Sequence, residues 1–347
     1  MPRLRRSDCS GPGLGRLRRG RGFMFVDGDG VRVADPQTIE RARGLAIPPA
    51  WDDVWICPDP LGHLQATGVD AAGRKQYVYH PEWRLRRDTE KFAATLDFAG
   101  GLPALRRRVA RDLGRDELDR ELVLALAVRL LDVGCMRIGG DDYAREYGSH
   151  GLTTLVKEHV RIDGSAASFD FPGKSGQRIE ITVRDPVAAR LVASLRRRRG
   201  APTDQLLAFR DPTPTGGGAP TRTRWRPLGA DDVNELIKQV TGEQHSAKCF
   251  RTWNATVITA VGLAGRSEPT KAGRARAISQ AIRMTSEVLG NTPAVCRSSY
   301  VDPRLLDRYA SGLSIDAGRG PRDQRFLTQW RRRARIERAV VDLLGDA

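Results

Sequence analysis

The spacing of apolar residues changes along the chain and divides it into two parts. From residue 23 to about residue 80, short apolar runs alternate with turns, as is typical of strands, and one helical stretch at residues 37–45 interrupts them. From residue 87 onward the apolar positions repeat mainly at helical spacing. The pattern therefore predicts an α+β protein, with a small β-rich N-terminal domain at residues 22–86 followed by a mostly α-helical domain at residues 87–347.

The second domain contains one clear helix and a short return to strand spacing. Residues 117–136 carry leucine, alanine and valine at intervals of three and four. Residues 156–183 switch to a period of two and predict a small sheet of hairpins, with turns at Asp163-Gly164 and at residues 173–176. Residues 212–227, rich in glycine and proline, predict a poorly ordered linker. The remaining helical patterns cover residues 187–199, 230–241, 247–262 and 269–290.

Charge is the first compositional feature that bears on function. Lysine and arginine total 58 against 42 aspartate and glutamate, a formal net charge of +16. Residues 1–21 combine arginine with glycine and proline, and they predict a basic flexible tail because they cannot bury apolar surface. A strongly basic chain favours a polyanionic partner such as nucleic acid. The alternative is an arginine-rich solvated surface without such a partner.

Cysteine, histidine and acidic residues give no sign of a metal centre. The five cysteines lie far apart without a Cys-x-x-Cys pair, so the sequence predicts neither a disulfide framework nor a zinc site. The five histidines have no ligand spacing, and the aspartate pairs at residues 52–53, 141–142 and 231–232 do not share a helix face. A metal nuclease is therefore disfavoured. No run approaches ~18 apolar residues, and we expect a cytoplasmic protein that is not attached to a membrane.

Several basic and polar residues stand where predicted elements end. Gly173-Lys174-Ser175 does not fit a nucleotide-binding loop, because Ser168 stands where that loop needs glycine and a strand follows. Lys174 is instead predicted at the tip of a hairpin. Taken singly, such residues have ordinary structural explanations, for instance helix caps or solvated side chains. Besides Lys174, the residues of this kind are Arg137 after the first clear helix, Lys248 and Arg251 on one face of a later helix, Asn291 after a helix end, and Tyr300 beyond it.

Taken together, these residues resemble the catalytic constellation of the type IB DNA topoisomerases, specifically of their poxvirus-like bacterial branch. The matching order is Arg137, Lys174, Lys248-x-x-Arg251, Asn291 and Tyr300, and the resemblance runs from about residue 23 to beyond Tyr300. It implies an enzyme that cleaves one DNA strand through a 3′-phosphotyrosine, relaxes supercoils of both signs and reseals the strand without ATP. One departure stands out, because viral and eukaryotic members carry histidine where this chain has Asn291.

The resemblance extends to residues that contact DNA. Residues 73–79 are similar to an N-terminal strand of the family that contacts DNA bases and backbone, and Tyr143 is similar to a further contact position in the viral enzymes. The implied partner is double-stranded DNA, bound by a nucleoid-associated monomer with no obligatory protein partner. The implied contact residues are Arg74, Lys75, Gln76, Tyr77, Tyr79 and Tyr143.

The implied roles agree with the chemistry of a phosphodiester. Its transition state spreads negative charge over the equatorial oxygens, so fixed donors aimed at them are the main catalytic factor. Arg137 and Arg251 offer charged forks for this task, and Asn291 adds a neutral donor. Tyr300 is the expected nucleophile. Lys174 is the first candidate for the general acid that protonates the leaving 5′ oxygen, with Lys248 as a second, and neither a metal nor a nucleotide cofactor is expected.

Two other functions are compatible with parts of this pattern. A tyrosine recombinase uses the same arginine, lysine and tyrosine plan, but its second arginine motif is normally His-x-x-Arg and its N-terminal domain is helical. Here the motif is Lys248-x-x-Arg251, and residues 23–80 predict strands. A basic architectural DNA-binding protein without chemistry is the other alternative, and it requires no role for Tyr300.

Overall fold

The protein divides into two compact units, Met1–Lys91 and Phe92–Ala347. The computed structural model describes residues 3–199, 203–213, 222–318 and 324–345, with only the backbone described at Tyr143 and a few other positions. The division falls a few residues after the boundary predicted at residue 86. It lies within one long helix, α2 (Pro81–Asp112).

The described residues of the N-terminal unit form an antiparallel sheet of five strands with one helix ahead of α2, as the sequence predicts. The elements are β1 (Leu14–Arg19), β2 (Gly22–Val26), α1 (Pro36–Gly44), β3 (Asp52–Ile56), β4 (Leu64–Val69) and β5 (Lys75–Tyr79). The strands are ordered β2-β1-β3-β4-β5 in the sheet, so β2 and β5 lie at its edges. Phe25, Val54, Ile56 and Ala66 form its core together with residues of α1 and the segment that follows it.

The expectation of a flexible tail over residues 1–21 does not hold for Leu14–Arg19, which form β1. This strand pairs with β2 along its length and with β3 at its start. Arg16 explains why the basic composition was misleading, because its guanidinium donates hydrogen bonds to the carbonyl oxygens of Ile47, Pro48 and Trp51 at 2.7–2.9 Å. An arginine expected to be solvated thus joins β1 to the segment before β3.

The C-terminal unit is mostly helical with a small three-stranded antiparallel sheet, which confirms the predicted fold class. Two of its helices, α3 (Arg120–Gly134) and α7 (Ala247–Leu263), are buried along most of their length. No helix among the described residues is long and apolar enough to cross a membrane. Besides α2, the helices are α3 (Arg120–Gly134), α4 (Asp141–Tyr147), α5 (Pro186–Arg197), α6 (Ala230–Thr241), α7 (Ala247–Leu263), α8 (Lys271–Leu289), α9 (Pro293–Ser299), α10 (Pro303–Ala310) and α11 (Trp330–Gly345).

The strands of this unit lie in two separate sheets. The three-stranded sheet comprises β6 (Val160–Asp163), β7 (Ala166–Pro172) and β8 (Arg178–Arg184), with turns where the sequence predicts them. A second sheet pairs β9 (Ala208–Thr213) with β10 (Arg222–Pro227). The expected linker at residues 212–227 therefore ends in a paired strand, and the residues between β9 and β10 lie outside the described part of the chain.

A buried network of charged side chains joins α11 to the rest of this unit. Arg333 on α11 bonds Asp132 near the end of α3 at 2.5 Å and Glu337 at 2.9 Å. Arg106 on α2 bonds the same two carboxylates at 2.6–3.0 Å. Two cations thus face two anions. Burial alone would raise the pKa of Asp132, but the charges of Arg333 and Arg106 lower it to about 2.

We predict that Asp132→Asn destabilises the protein by about 3–5 kcal/mol at neutral pH, because the buried guanidinium group of Arg333 and the half-buried one of Arg106 then lose one carboxylate. The Asp132 carboxylate stabilises the fold above its ordinary pKa of 3.8 and ceases to do so as the pH falls toward about 2. Urea unfolding at neutral pH and at pH 3 measures both effects. The control is Asp342→Asn, an exposed position on α11, which should change the unfolding free energy by less than about 0.5 kcal/mol.

Candidate active site

The end of α3 holds Arg137 in a defined position. Cys135 adopts a left-handed conformation, with φ of 52°, and so ends the helix just before the arginine. The carbonyl oxygen of Arg137 accepts a hydrogen bond from the amide of Leu152 at 2.8 Å. A β-carbon at Gly151 would lie 2.5 Å from the backbone of Gly139, so this close approach of two chain segments requires glycine.

Arg251 on α7 connects the ends of two other helices. Its Nη1 donates to the carbonyl oxygen of Cys135, and its Nη2 donates to the carbonyl oxygen of Leu289 at 2.9 Å. The residue is only 4% exposed. Its Nε is buried and has no hydrogen-bond acceptor among the described residues. Arg251 is therefore a buried cation whose Nε–H donor is unused within the described residues.

Asn291 lies directly beyond the end of α8. Gly290 ends that helix in the left-handed region, with φ of 61°, and the amide of Asn291 donates back to the carbonyl oxygen of Ser286 at 3.0 Å. The side-chain oxygen of Asn291 accepts a hydrogen bond from Nη2 of Arg137 at 2.6 Å. Its Nδ2 is buried without an acceptor among the described residues. This amide thus orients one arginine and also has a donor left over.

Tyr300 follows α9, and its ring lies beside Arg251. The Arg251 guanidinium carbon is 5.1 Å from the centre of the ring. Burial alone would raise the pKa of the Tyr300 hydroxyl, but the positive charges of Arg251, Arg137 and Lys174 outweigh it, and the pKa is lowered. Removing a proton from this tyrosine is therefore easier than from an ordinary one.

The two lysines differ in how they relate to this cluster. Lys174 lies in the turn between β7 and β8, at the hairpin tip that the sequence predicts, and its side chain is exposed. Its charge contributes to lowering the pKa of Tyr300. Lys248 is exposed on the first turn of α7, and no side-chain hydrogen bond or ion pair joins it to another described residue. The charge of Lys174 thus acts on Tyr300, whereas no contact among the described residues relates Lys248 to it.

The residues expected to contact DNA in the N-terminal unit lie on or beside the edge strand β5. Tyr77 is 45% exposed and its ring stacks on that of Tyr79, with centroids 6.1 Å apart. Gln76 faces the other side and donates to the carboxylate of Asp70 at 2.9 Å. The side chains of Arg74 and Lys75 also have partners in the same unit. Arg74 donates to the carboxylate of Asp70, and Lys75 donates to the sulfur of Cys9. Tyr143 lies on α4, and its side chain is outside those described.

Sequence reasoning missed the residues that hold Arg251 and the end of α3 in place. The carbonyl oxygens of Cys135 and Leu289, which accept from Arg251, carry no side-chain signal. Asp132 resembles a solvated helix residue in the sequence, and Arg333 lies in a run of three arginines. Nothing in such a run distinguishes the one arginine that is buried. No group of three histidine, cysteine, aspartate or glutamate side chains that could hold a metal occurs among the residues that the structure describes.

Comparison with known proteins identifies the family. Residues 80–313 match the family model "Eukaryotic DNA topoisomerase I, catalytic core", and residues 22–70 match "Bacterial DNA topoisomerase IB, N-terminal domain". The chain is 30% identical over 301 residues to DNA topoisomerase 1B of Acanthamoeba polyphaga mimivirus, which covers 86% of this chain and 87% of the relative. It is 22% identical over 294 residues to DNA topoisomerase I of Monkeypox virus and to DNA topoisomerase 1B of Vaccinia virus, each covering 82% of this chain.

The fold and these matches define the class of protein as the DNA topoisomerases, which are isomerases. Within that class the chain belongs to the type IB family, with the N-terminal domain of its bacterial members. The resemblance inferred from the order of basic residues and tyrosine is thereby confirmed. The recombinase alternative is not supported, because both units match topoisomerase models.

We predict that Arg137→Met raises the pKa of Tyr300, because a positive charge near the phenol is lost. NMR titration of tyrosine labelled at the ring carbon that bears the hydroxyl measures this pKa directly. Arg145→Met is the control, since Arg145 is an exposed arginine on α4 paired with Asp142, and it should leave the Tyr300 titration unchanged. An equal pKa of Tyr300 in the wild type and in Arg137→Met contradicts the assignment.

Proposed function

We propose that the chain relaxes DNA by cleaving one strand at Tyr300, with Arg137, Arg251 and Asn291 binding the scissile phosphate. The observation that supports this most directly is the pair of buried donors without an acceptor, Nε of Arg251 and Nδ2 of Asn291. A buried donor without a partner destabilises a protein by roughly 1–3 kcal/mol. Such groups beside a tyrosine of lowered pKa are suited to the oxygens of a bound anion.

Cleavage begins with attack of the Tyr300 oxygen on the phosphorus. The tyrosine loses its proton as its oxygen bonds to phosphorus, and the positive charges near it favour the phenolate. As negative charge builds on the equatorial oxygens, the guanidinium groups of Arg137 and Arg251 stabilise them more strongly than they stabilise the ground state. The products are a 3′-phosphotyrosine and a free 5′ hydroxyl.

The leaving 5′ oxygen needs a proton, and Lys174 is the proposed donor. A hairpin tip can bring an exposed amine to an oxygen on the far side of the phosphorus from Tyr300. A lysine donates its proton and is recharged from solvent after the step, whereas an arginine holds its proton too tightly for this role. Lys248 remains a second candidate from the sequence alone, without a contact that relates it to Tyr300.

The ester bond retains the energy of the broken phosphodiester, so the 5′ hydroxyl can reverse the reaction without ATP or a metal ion. Between the two steps the free end rotates about the intact strand and relieves torsional strain of either sign. We propose that a monomer holds the duplex during rotation, with Arg74, Lys75, Gln76, Tyr77 and Tyr79 of the first unit and Tyr143 of the second among its contacts. Most of these contacts go to phosphates, so binding weakens steeply with salt.

We predict that Tyr300→Phe abolishes the covalent protein–DNA adduct and plasmid relaxation but preserves DNA affinity, because one hydroxyl contributes little to binding dominated by phosphate contacts. Supercoiled plasmid in EDTA and SDS-trapped adducts give the two readouts. Tyr309→Phe is the matched control, since Tyr309 is a nearby buried tyrosine that bonds the carbonyl oxygen of Arg266. Relaxation by Tyr300→Phe, or a wild type active only with divalent metal, would exclude the proposal.

We predict that Lys174→Met slows cleavage by roughly 10²–10⁴-fold, as expected for loss of a general acid. A substrate with sulfur in place of the 5′ bridging oxygen leaves without protonation and should restore the rate. Single-turnover cleavage of both substrates measures the difference. Lys248→Met serves as the comparison. If the sulfur-containing substrate restores the rate of Lys248→Met rather than that of Lys174→Met, Lys248 is the proton donor.

A further inference from the structure

We propose that Arg333 of α11 is a positioning residue for strand cleavage, which holds the C-terminal end of α3 and the middle of α7 so that Arg137 and Arg251 both face Tyr300. This inference rests on the proposed function of Tyr300. It gives a role to the segment that follows Tyr300, for which the sequence by itself predicts no function.

Arg333 is fully buried and uses every donor of its guanidinium group. Nη2 donates to the side-chain oxygens of Asp132 and Asn254, at 2.5 and 3.0 Å. Nη1 donates to the carbonyl oxygens of Asp132 and Leu327, at 3.3 and 3.0 Å. Nε donates to Glu337 at 2.9 Å. These five bonds match the five N–H donors of an arginine, so a lysine, with three donors, cannot replace them all.

The contacts of Arg333 continue directly to the candidate active site. Asn254, whose side-chain oxygen it orients, donates through Nδ2 to the carbonyl oxygen of Asp132 at 2.9 Å and to the sulfur of Cys135 at 3.5 Å. The carbonyl oxygen of Cys135 in turn accepts from Arg251. Cys135 is also the left-handed residue from which the chain continues to Arg137. One buried arginine thus links the helix end that carries Arg137 to the helix that carries Arg251.

The network also involves Trp253, two residues beyond Arg251 on α7. The indole nitrogen of Trp253 donates to Glu337 at 3.1 Å, and Glu337 is held by both Arg333 and Arg106. The rotation of α7 about its axis is therefore set from two adjacent turns of α11. An arginine placed incorrectly by a fraction of an ångström loses much of its stabilisation of a transition state, so we expect disruption of these bonds to affect the rate of cleavage.

The test is single-turnover cleavage of a duplex oligonucleotide by the full-length protein, measured across a pH series, for Arg333→Lys, Arg333→Met and Arg338→Met. Arg338 is exposed on the same helix, so its substitution removes the same charge as Arg333→Met without touching the network. We expect both Arg333 variants to cleave roughly 10- to 100-fold more slowly. Their rate profile should also shift to higher pH, because displaced arginines no longer lower the pKa of Tyr300 as strongly. DNA affinity and the Arg338→Met profile should equal those of the wild type.

The outcomes separate this inference from a purely structural role. A structural defect lowers the fraction of active protein, seen as the amplitude of cleavage, but leaves the rate constant and the pH profile of the folded molecules unchanged. That result overturns the proposal, as does a wild-type rate in Arg333→Lys. Arg333→Lys keeps one charge beside Asp132 and Glu337 and decides the matter if Arg333→Met does not fold. If neither the wild type nor Arg338→Met forms an adduct at Tyr300, it is the proposed function that fails.

Discussion

Two positively charged guanidinium groups are held beside one tyrosine, and their mutual repulsion is the constraint around which the rest of the site is arranged. Burial and the charge of Arg251 both lower the pKa of Arg137, which expresses the unfavourable free energy of bringing these cations together away from water. Within the described residues neither arginine forms an ion pair. Their partners are instead neutral oxygens, from the backbone at Cys135 and Leu289 and from the amide of Asn291.

The choice of neutral partners has a direct consequence for chemistry. A carboxylate beside either arginine would hold it equally well, but it would cancel the charge that lowers the pKa of Tyr300 and that attracts a phosphate. Carbonyl and amide oxygens orient the guanidinium groups and leave their charge uncompensated. Asn291 fits this arrangement, because its oxygen accepts from Arg137 while its nitrogen remains available as a donor. A histidine at this position would instead offer a donor that can also become charged.

The network of charged side chains next to the site is electrically balanced, unlike the two arginines beside Tyr300. In the buried network of Arg333, Arg106, Asp132 and Glu337, two cations meet two anions, and the hydrogen-bond donors of Arg333 are all used. A balanced, fully bonded network is rigid, whereas an uncompensated pair of cations is not stable by itself. The chain therefore combines a charge-balanced network between α3, α7 and α11 with two arginines next to Tyr300 whose charge is not balanced by a carboxylate of the described residues. The first unit adds a sheet whose edge strand presents stacked aromatic rings to solvent.

The sequence by itself predicted which residues form the candidate site and determined which class of fold carries them. Helical spacing located α3 and α7, period-two spacing located the hairpin of Lys174, and the order of basic residues ahead of Tyr300 indicated the family, because these signals are local or depend on order alone. Only the tertiary structure decided that Arg251 is buried while Lys248 on the same helix is not, that Leu14–Arg19 form a strand, and that Arg333 alone among three successive arginines is buried. Those outcomes depend on which distant carbonyl and carboxylate oxygens a side chain meets after folding, and no local pattern of residues encodes such partners.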